Sequence, residues 1–161
     1  SGGGFPGLAW KIARPALEIT LLEANGKKAA FLESVVHELG LEGVRVVNQR
    51  AEEAGRDPAH RDAYPLAVAR AVAPLRVLLE VALPFVRPGG LLVAPKGSAA
   101  EREMREAEGA LAAFGAVIED ASPLALPAGN ERAPTLILVR KNAATPDRYP
   151  RRPGIPAKRP L

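Results

Sequence analysis

Four glycines stand within the first seven residues, in Ser1-Gly2-Gly3-Gly4-Phe5-Pro6-Gly7-Leu8. Glycine lacks a Cβ and tolerates positive φ, so such a run lets a ligand approach the backbone closely. In α/β folds this kind of loop follows the first strand and lines the mouth of a cofactor crevice. No strand-like run precedes it here, so the first strand of such a fold is expected to be missing from this sequence. Glu23 closes the next strand-like run, Leu17 to Leu22. A carboxylate at that place accepts hydrogen bonds from ribose hydroxyls. Arg70 and Lys96 each follow a later strand-like run, where α/β enzymes place functional groups. Arginine there offers a planar fork for a base or a phosphate.

The loop admits two kinds of cofactor. Gly2, Gly4 and Gly7 satisfy the G-x-G-x-x-G spacing of dinucleotide sites, and with Glu23 they make an NAD(P)-dependent oxidoreductase a real alternative. Pro6 weighs against it. Pyrophosphate is held by backbone N–H groups at a helix N-terminus, and proline removes one donor there. A cofactor without phosphate, such as S-adenosylmethionine, does not need that donor, while its ribose still calls for Glu23. Other chemistries are scarce. The sequence has no cysteine, which removes disulfides, thiolate metal sites and cysteine nucleophiles together. His37 and His60 are distant, make no metal pair, and read as surface residues.

The elements that must position these residues alternate. A short helix is expected from Pro6 to Arg14 and a strand over 17–22. A helix over Lys27–Leu39 carries Ala30, Phe31, Val35 and Leu39 near helical spacing and ends at Gly40. Strands follow at 44–47 and 66–69, with a charged short helix or loop at 51–63. Val72 to Phe85 reads as a helix with Pro74 in its first turn. Pro88-Gly89-Gly90 reads as a turn into the strand Leu91–Ala94. Ala99 to Phe114 reads as one long helix, and strands are expected at 116–118 and 135–139. Trp10 and Phe31 are expected in the core. The alternation implies an α/β fold with a mostly parallel sheet, and the last two strands, with no helix between them, imply an antiparallel hairpin at one edge.

Charge is uneven along the chain. From Arg140 to Leu161 there are seven basic residues and one acid, a net +6, which leaves −2 for the rest of a chain whose total is +4. Five prolines also fall beyond Arg140, so residues 142–161 are expected to be an extended basic tail beside a domain of residues 1–141. A basic tail suits contact with a phosphate backbone, and Arg151 and Arg152 are its candidates. A non-catalytic RNA-binding module would use the same tail but has no need of the glycine loop. No apolar run of about 18 residues is present, so no membrane span is expected.

Taken together, the loop at 1–8, Leu22-Glu23-Ala24-Asn25-Gly26-Lys27-Lys28, Phe31-Leu32, Arg50-Ala51-Glu52-Glu53, Ala69-Arg70-Ala71, Pro95-Lys96-Gly97 and Tyr149-Pro150-Arg151-Arg152-Pro153-Gly154-Ile155-Pro156 resemble the glucose-inhibited division protein B family. The resemblance runs through essentially the whole chain. It implies a class I, Rossmann-like methyltransferase that takes S-adenosylmethionine as donor and methylates guanine N7 in 16S rRNA, in the cytoplasm; nothing in the sequence demands more than a monomer. It implies that Gly2, Gly4 and Phe5 line the methionine and ribose side, that Glu23 binds the ribose, and that Ala51 and Glu52 edge the adenine. It places Arg70 near the cofactor and the incoming base, with Lys96 and Arg132 on the substrate side. Family members usually carry a histidine after the arginine that Arg132 matches; here Ala133 follows. They also carry a strand with an acid-x-Gly, and a helical region, ahead of the position of Ser1. The chain as it stands is therefore expected to fold poorly and to bind donor weakly.

The expected chemistry explains why no acid–base pair stands out. Guanine N7 has an exposed lone pair, so nothing must be deprotonated before attack, and alignment alone supplies several kcal/mol, up to about 7–11 in favourable cases. Neither the Asn/Asp-Pro-Pro-aromatic motif of exocyclic-amine methylation nor the cysteine of pyrimidine C5 methylation is present.

Overall fold

A computed structural model of the chain describes residues 1–70, 72–124 and 133–161. The chain forms two compact units, Ser1–Ala51 and Glu52–Leu161.

In the first unit, the glycine loop leads into α1 (Gly7–Ala13), followed by β1 (Ile19–Leu22), α2 (Gly26–Glu38) and β2 (Val44–Val47). The two strands pair in parallel, Ile19 opposite Val44 and Leu22 opposite Val47. Asn25 starts α2 as its N-cap, its Oδ1 accepting the Lys28 N–H at 3.2 Å. Leu8, Leu21 and Leu32 form a small core that Ile19, Val35 and Val46 border. Lys11 reaches past the end of α1, its Nζ donating to the Pro15 and Leu17 carbonyls, each at 2.6 Å. Trp10 and Phe31 are not in this core; they are 39 % and 54 % exposed. Residues 29, 32, 35 and 36 carry the inward stripe of α2, and Phe31 lies off it.

The second unit begins at the boundary with α3 (Ala51–Ala54) and continues through β3 (Tyr64–Val68), α4 (Leu75–Ala82), β4 (Val86–Lys96), α5 (Ala100–Arg105), α6 (Glu108–Ala113), β5 (Ala116–Pro123), β6 (Thr135–Lys141) and α7 (Ile155–Lys158). Its sheet has the order β3-β4-β6-β5. β3 and β4 are parallel, while β6 pairs antiparallel with both β4 and β5. The expected hairpin is present, with β6 inside the sheet and β5 at the edge. Leu75, Leu78, Leu79, Leu92, Phe114 and Ile137 lie in one core.

Three elements differ from expectation for visible reasons. Pro88-Gly89-Gly90 is not a turn ahead of the strand but an irregularity inside β4: Tyr64 pairs with Val86 and Leu66 with Leu91. Gly90 is required there, since a Cβ would stand 2.8 Å from the Pro65 carbonyl oxygen. The helix expected over 99–114 breaks into α5 and α6, which keeps Ala100, Ala107, Ala110 and Phe114 in the core. Residues 142–161 are not a free tail. Thr145 and Tyr149 are buried, and the Tyr149 ring lies 4.9 Å from that of Phe114. His60, expected at the surface, is buried as well, its Nδ1 2.6 Å from the Tyr64 hydroxyl. No described helix is long and apolar enough to cross a membrane.

Candidate functional site

In the first unit, the glycine loop and the end of β1 are joined through one carboxylate. Glu23 Oε2 accepts the Gly2 N–H at 2.7 Å and the Ser1 nitrogen at 3.0 Å, and Oε1 accepts the Asn25 N–H at 2.9 Å. Burial pushes this carboxyl up, but hydrogen bonds from the Asn25, Gly2 and Ser1 nitrogens outweigh it and hold the pKa at about 2. Glu23 is therefore ionised at neutral pH. A carboxylate offers about four lone-pair directions, and three are engaged, which leaves one on Oε1 for a ligand hydroxyl.

The loop above it is shaped for close approach. Gly2 has φ +58°, and a Cβ there would meet nothing within 4 Å. Gly4 has φ +88° and faces inward: its Cβ would fall 2.3 Å from Leu8 Cδ1 and 3.1 Å from Leu32 Cδ2. The two glycines serve different ends, Gly2 leaving open space and Gly4 closing the loop onto the core. Gly4→Ala is expected to destabilise the protein by about 2 kcal/mol, from left-handed backbone strain together with the overlap on Leu8. Urea unfolding measures it, and an unchanged midpoint would show that the loop relaxes freely. Phe5 is exposed beside these glycines.

In the second unit, Arg70 and Lys96 come together. β3 and β4 run parallel, with Val68 beside Val93, so both carboxyl ends open on one side of the sheet. A cleft of about 510 Å³ lies there, lined by Arg70, Val72, Pro74, Lys96 and Glu103 among others. Arg70 is exposed. Lys96 is less free: Nζ donates to the Ala73 carbonyl at 2.5 Å and lies 2.9 Å from Glu103 Oε2. The same Glu103 oxygen accepts the Leu75 N–H at 2.7 Å, at the start of α4. Pro74 stands at the N-cap and supplies no side-chain bond, so a glutamate from α5 meets the orphan donor. Sequence reasoning misses Glu103, because its partners lie 7 and 28 residues away.

The remaining candidates are placed differently. Ala51 opens α3. The Glu52 carboxylate accepts the Gly154 N–H at 3.0 Å. Arg151 does not point outward to a substrate. Its Nε donates to Glu80 Oε1 at 2.8 Å and its Nη2 to Oε2 at 2.5 Å, and Glu80 is fully buried. This pairing holds the Arg151 guanidinium above its ordinary pKa against the opposing effect of burial. Arg152 beside it is exposed. Arg132 lies outside the described residues.

Residues 1–125 match the model of the GidB family, described as rRNA small subunit methyltransferase G. The chain belongs to this family. Over its full length it is 50% identical to a ribosomal RNA small subunit methyltransferase G of Roseiflexus castenholzii, covering 68% of that protein. It is 48% identical to the protein of the same description from Symbiobacterium thermophilum, covering 67% of it. In structure it is similar to a predicted O-methyltransferase of Agrobacterium tumefaciens, with a TM-score of 0.67 and 16% identity over 89% of this chain and 71% of that one. That likeness shows the fold, a class I methyltransferase. Within the GidB family, then, the Gly2–Glu23 contact and the Arg70–Lys96 cleft are the parts of the expected site that each unit assembles by itself.

Proposed function

We propose that this GidB-family chain transfers a methyl group from S-adenosylmethionine to N7 of a guanine in small-subunit rRNA. The observation that carries the proposal is the glycine loop hydrogen-bonded to an ionised Glu23, in a chain of a family described as rRNA methyltransferases. The residues fit the donor: open space over Gly2, an exposed Phe5, and a carboxylate with one lone-pair direction free. Glu23 would hold the ribose, Gly2, Gly4 and Phe5 the methionine and ribose side, and Ala51 and Glu52 the adenine side.

When bound, the donor supplies an electrophilic methyl group on a sulfonium. Guanine N7 already has an available lone pair, so this chain's residues would have no proton to remove before transfer. The protein's task is alignment and exclusion of water. In the cleft, Arg70 presents donors suited to the guanine edge or its phosphate; Arg152, exposed but not part of the cleft lining, adds positive charge for the RNA backbone. Lys96, tied to Glu103 and Ala73, shapes the cleft wall as well as charging it. The nicotinamide reading falls away with membership of this family.

The test is incubation of the full-length protein with isotopically labelled S-adenosylmethionine and small-subunit rRNA from cells lacking the enzyme. Label in 7-methylguanosine after digestion supports donor, acceptor atom and reaction together; label elsewhere refutes the N7 assignment. Arg70→Ala is expected to lower kcat/KM about tenfold with an unchanged thermal midpoint, the loss of a hydrogen bond from a charged donor. Unchanged turnover would remove Arg70 from the site.

A further inference from the structure

We propose that the C-terminal segment acts as a clasp that sets donor affinity, with Glu52 a positioning residue whose carboxylate serves the clasp rather than the donor. The proposal rests on the reading of Ala51 and Glu52 as the adenine side. Residues 52–62 follow directly from there, and their described side-chain partners come largely from the far end of the chain. The Glu52 carboxylate takes the Gly154 N–H at 3.0 Å. Arg56 donates Nε to the Pro150 carbonyl at 2.8 Å and Nη2 to the Arg148 carbonyl at 3.3 Å. Arg61 donates Nη1 to the Tyr149 carbonyl at 2.8 Å and Nη2 to those of Thr145 and Pro146 at 2.9 and 3.0 Å. Asp62 closes the series, accepting the Thr145 hydroxyl at 2.6 Å and its N–H at 3.1 Å.

Two features make these ties more than surface contacts. The acceptors on the strap are backbone carbonyls, so the arginines fix main-chain path rather than adjustable side chains. The same Arg61 Nη1 also holds the Gly55 carbonyl at 3.1 Å, locking the turn after α3 to the strap. Asp62 itself sits at φ +51°, a backbone state that must be held from outside, and Lys141 with Thr145 holds it. α3 has only four residues and cannot hold its own shape. Its conformation is therefore borrowed from the strap, and loosening the strap frees the segment that would receive the adenine.

The experiment compares the full-length wild-type protein with its Glu52→Ala, Glu52→Gln and Arg56→Ala variants, using S-adenosylhomocysteine as the probe. Calorimetry reads affinity, and amide hydrogen exchange reads protection at 145–156. Glu52→Ala and Arg56→Ala are each expected to raise exchange across the strap and to weaken the probe about five- to tenfold. Glu52→Gln keeps an acceptor oxygen for Gly154, and is expected to lose affinity only in proportion to the protection it loses across the strap. Raised exchange in Arg56→Ala with unchanged affinity overturns the coupling. A large loss in Glu52→Gln with protection intact overturns the positioning role, because the charge would then act on the ligand directly. Failure of the wild-type protein to bind the probe is a different result: it overturns the donor reading, and the clasp's role with it.

Discussion

Arg151→Ala is expected to cost the full-length protein about 3–5 kcal/mol of stability, the largest loss predicted for a single side chain here. The cause is Glu80, in the interior of α4 and fully buried beneath the strap. All three of its described hydrogen bonds come from Arg151: the backbone N–H at 3.0 Å, Nε at 2.8 Å and Nη2 at 2.5 Å. Truncation at Cβ leaves only the backbone N–H of residue 151 to meet a side chain that the fold buries completely. A buried acid stripped of its ion-pair partner costs several kcal/mol. Glu80→Leu in the same protein is expected to restore much of the loss, because a buried pair replaced by apolar groups of similar volume is near neutral. Denaturant unfolding of the wild type, the single variants and the double variant measures both effects. A cost under about 1 kcal/mol for Arg151→Ala would show that Glu80 finds another partner.

Arg151 also shows where sequence reasoning goes astray. Read along the chain, residues 140–161 are basic and rich in proline, and nothing local distinguishes an arginine aimed at RNA from one aimed at the core. The distinction lies in Glu80, 71 residues earlier, whose apolar neighbours Leu78, Leu79 and Val81 mark its helix as buried but give no hint of the partner. Arg152, one residue on, kept the exposed placement expected of it. The same limit hid Glu103, which meets the Lys96 ammonium and the Leu75 N–H, and Arg56 and Arg61, whose partners are mostly carbonyls far along the chain. By contrast, local signals carried the fold a long way. Val44–Val47 appears with the bounds its β-branched run implied, α2 begins at Gly26, one residue before the expected start at Lys27, and the Glu23 strand end meets the glycine loop. Phe31 falls near the helical spacing of Val35, but the stripe that Ala29 and Leu32 set lies beside it and leaves Phe31 exposed.

Glu23→Ala is expected to weaken S-adenosylhomocysteine binding roughly 30-fold, the largest functional loss predicted. A ribose hydroxyl bound to an ionised carboxylate is worth about 1.5–3 kcal/mol, and each 1.4 kcal/mol is tenfold. The substitution also strips the Gly2 and Asn25 N–H groups of their acceptor, so the loop loses its anchor to β1. Glu23→Gln separates the two effects. An amide oxygen still accepts one N–H, but its nitrogen is a donor and faces donors, so part of the loop geometry is lost with the charge. The pH dependence follows from the same bonds. A carboxyl held at about 2 in the folded state, against an ordinary 4.5, stabilises the fold fully above about pH 4.5. That contribution drains away as pH falls from there toward 2, and nothing changes between pH 6 and 8. Thermal unfolding of wild type and Glu23→Gln across pH 2.5–7 measures it: the gap between their midpoints should narrow on acidification. A gap that stays constant through that window would mean that Glu23 titrates like an exposed glutamate and does not hold the loop as an anion.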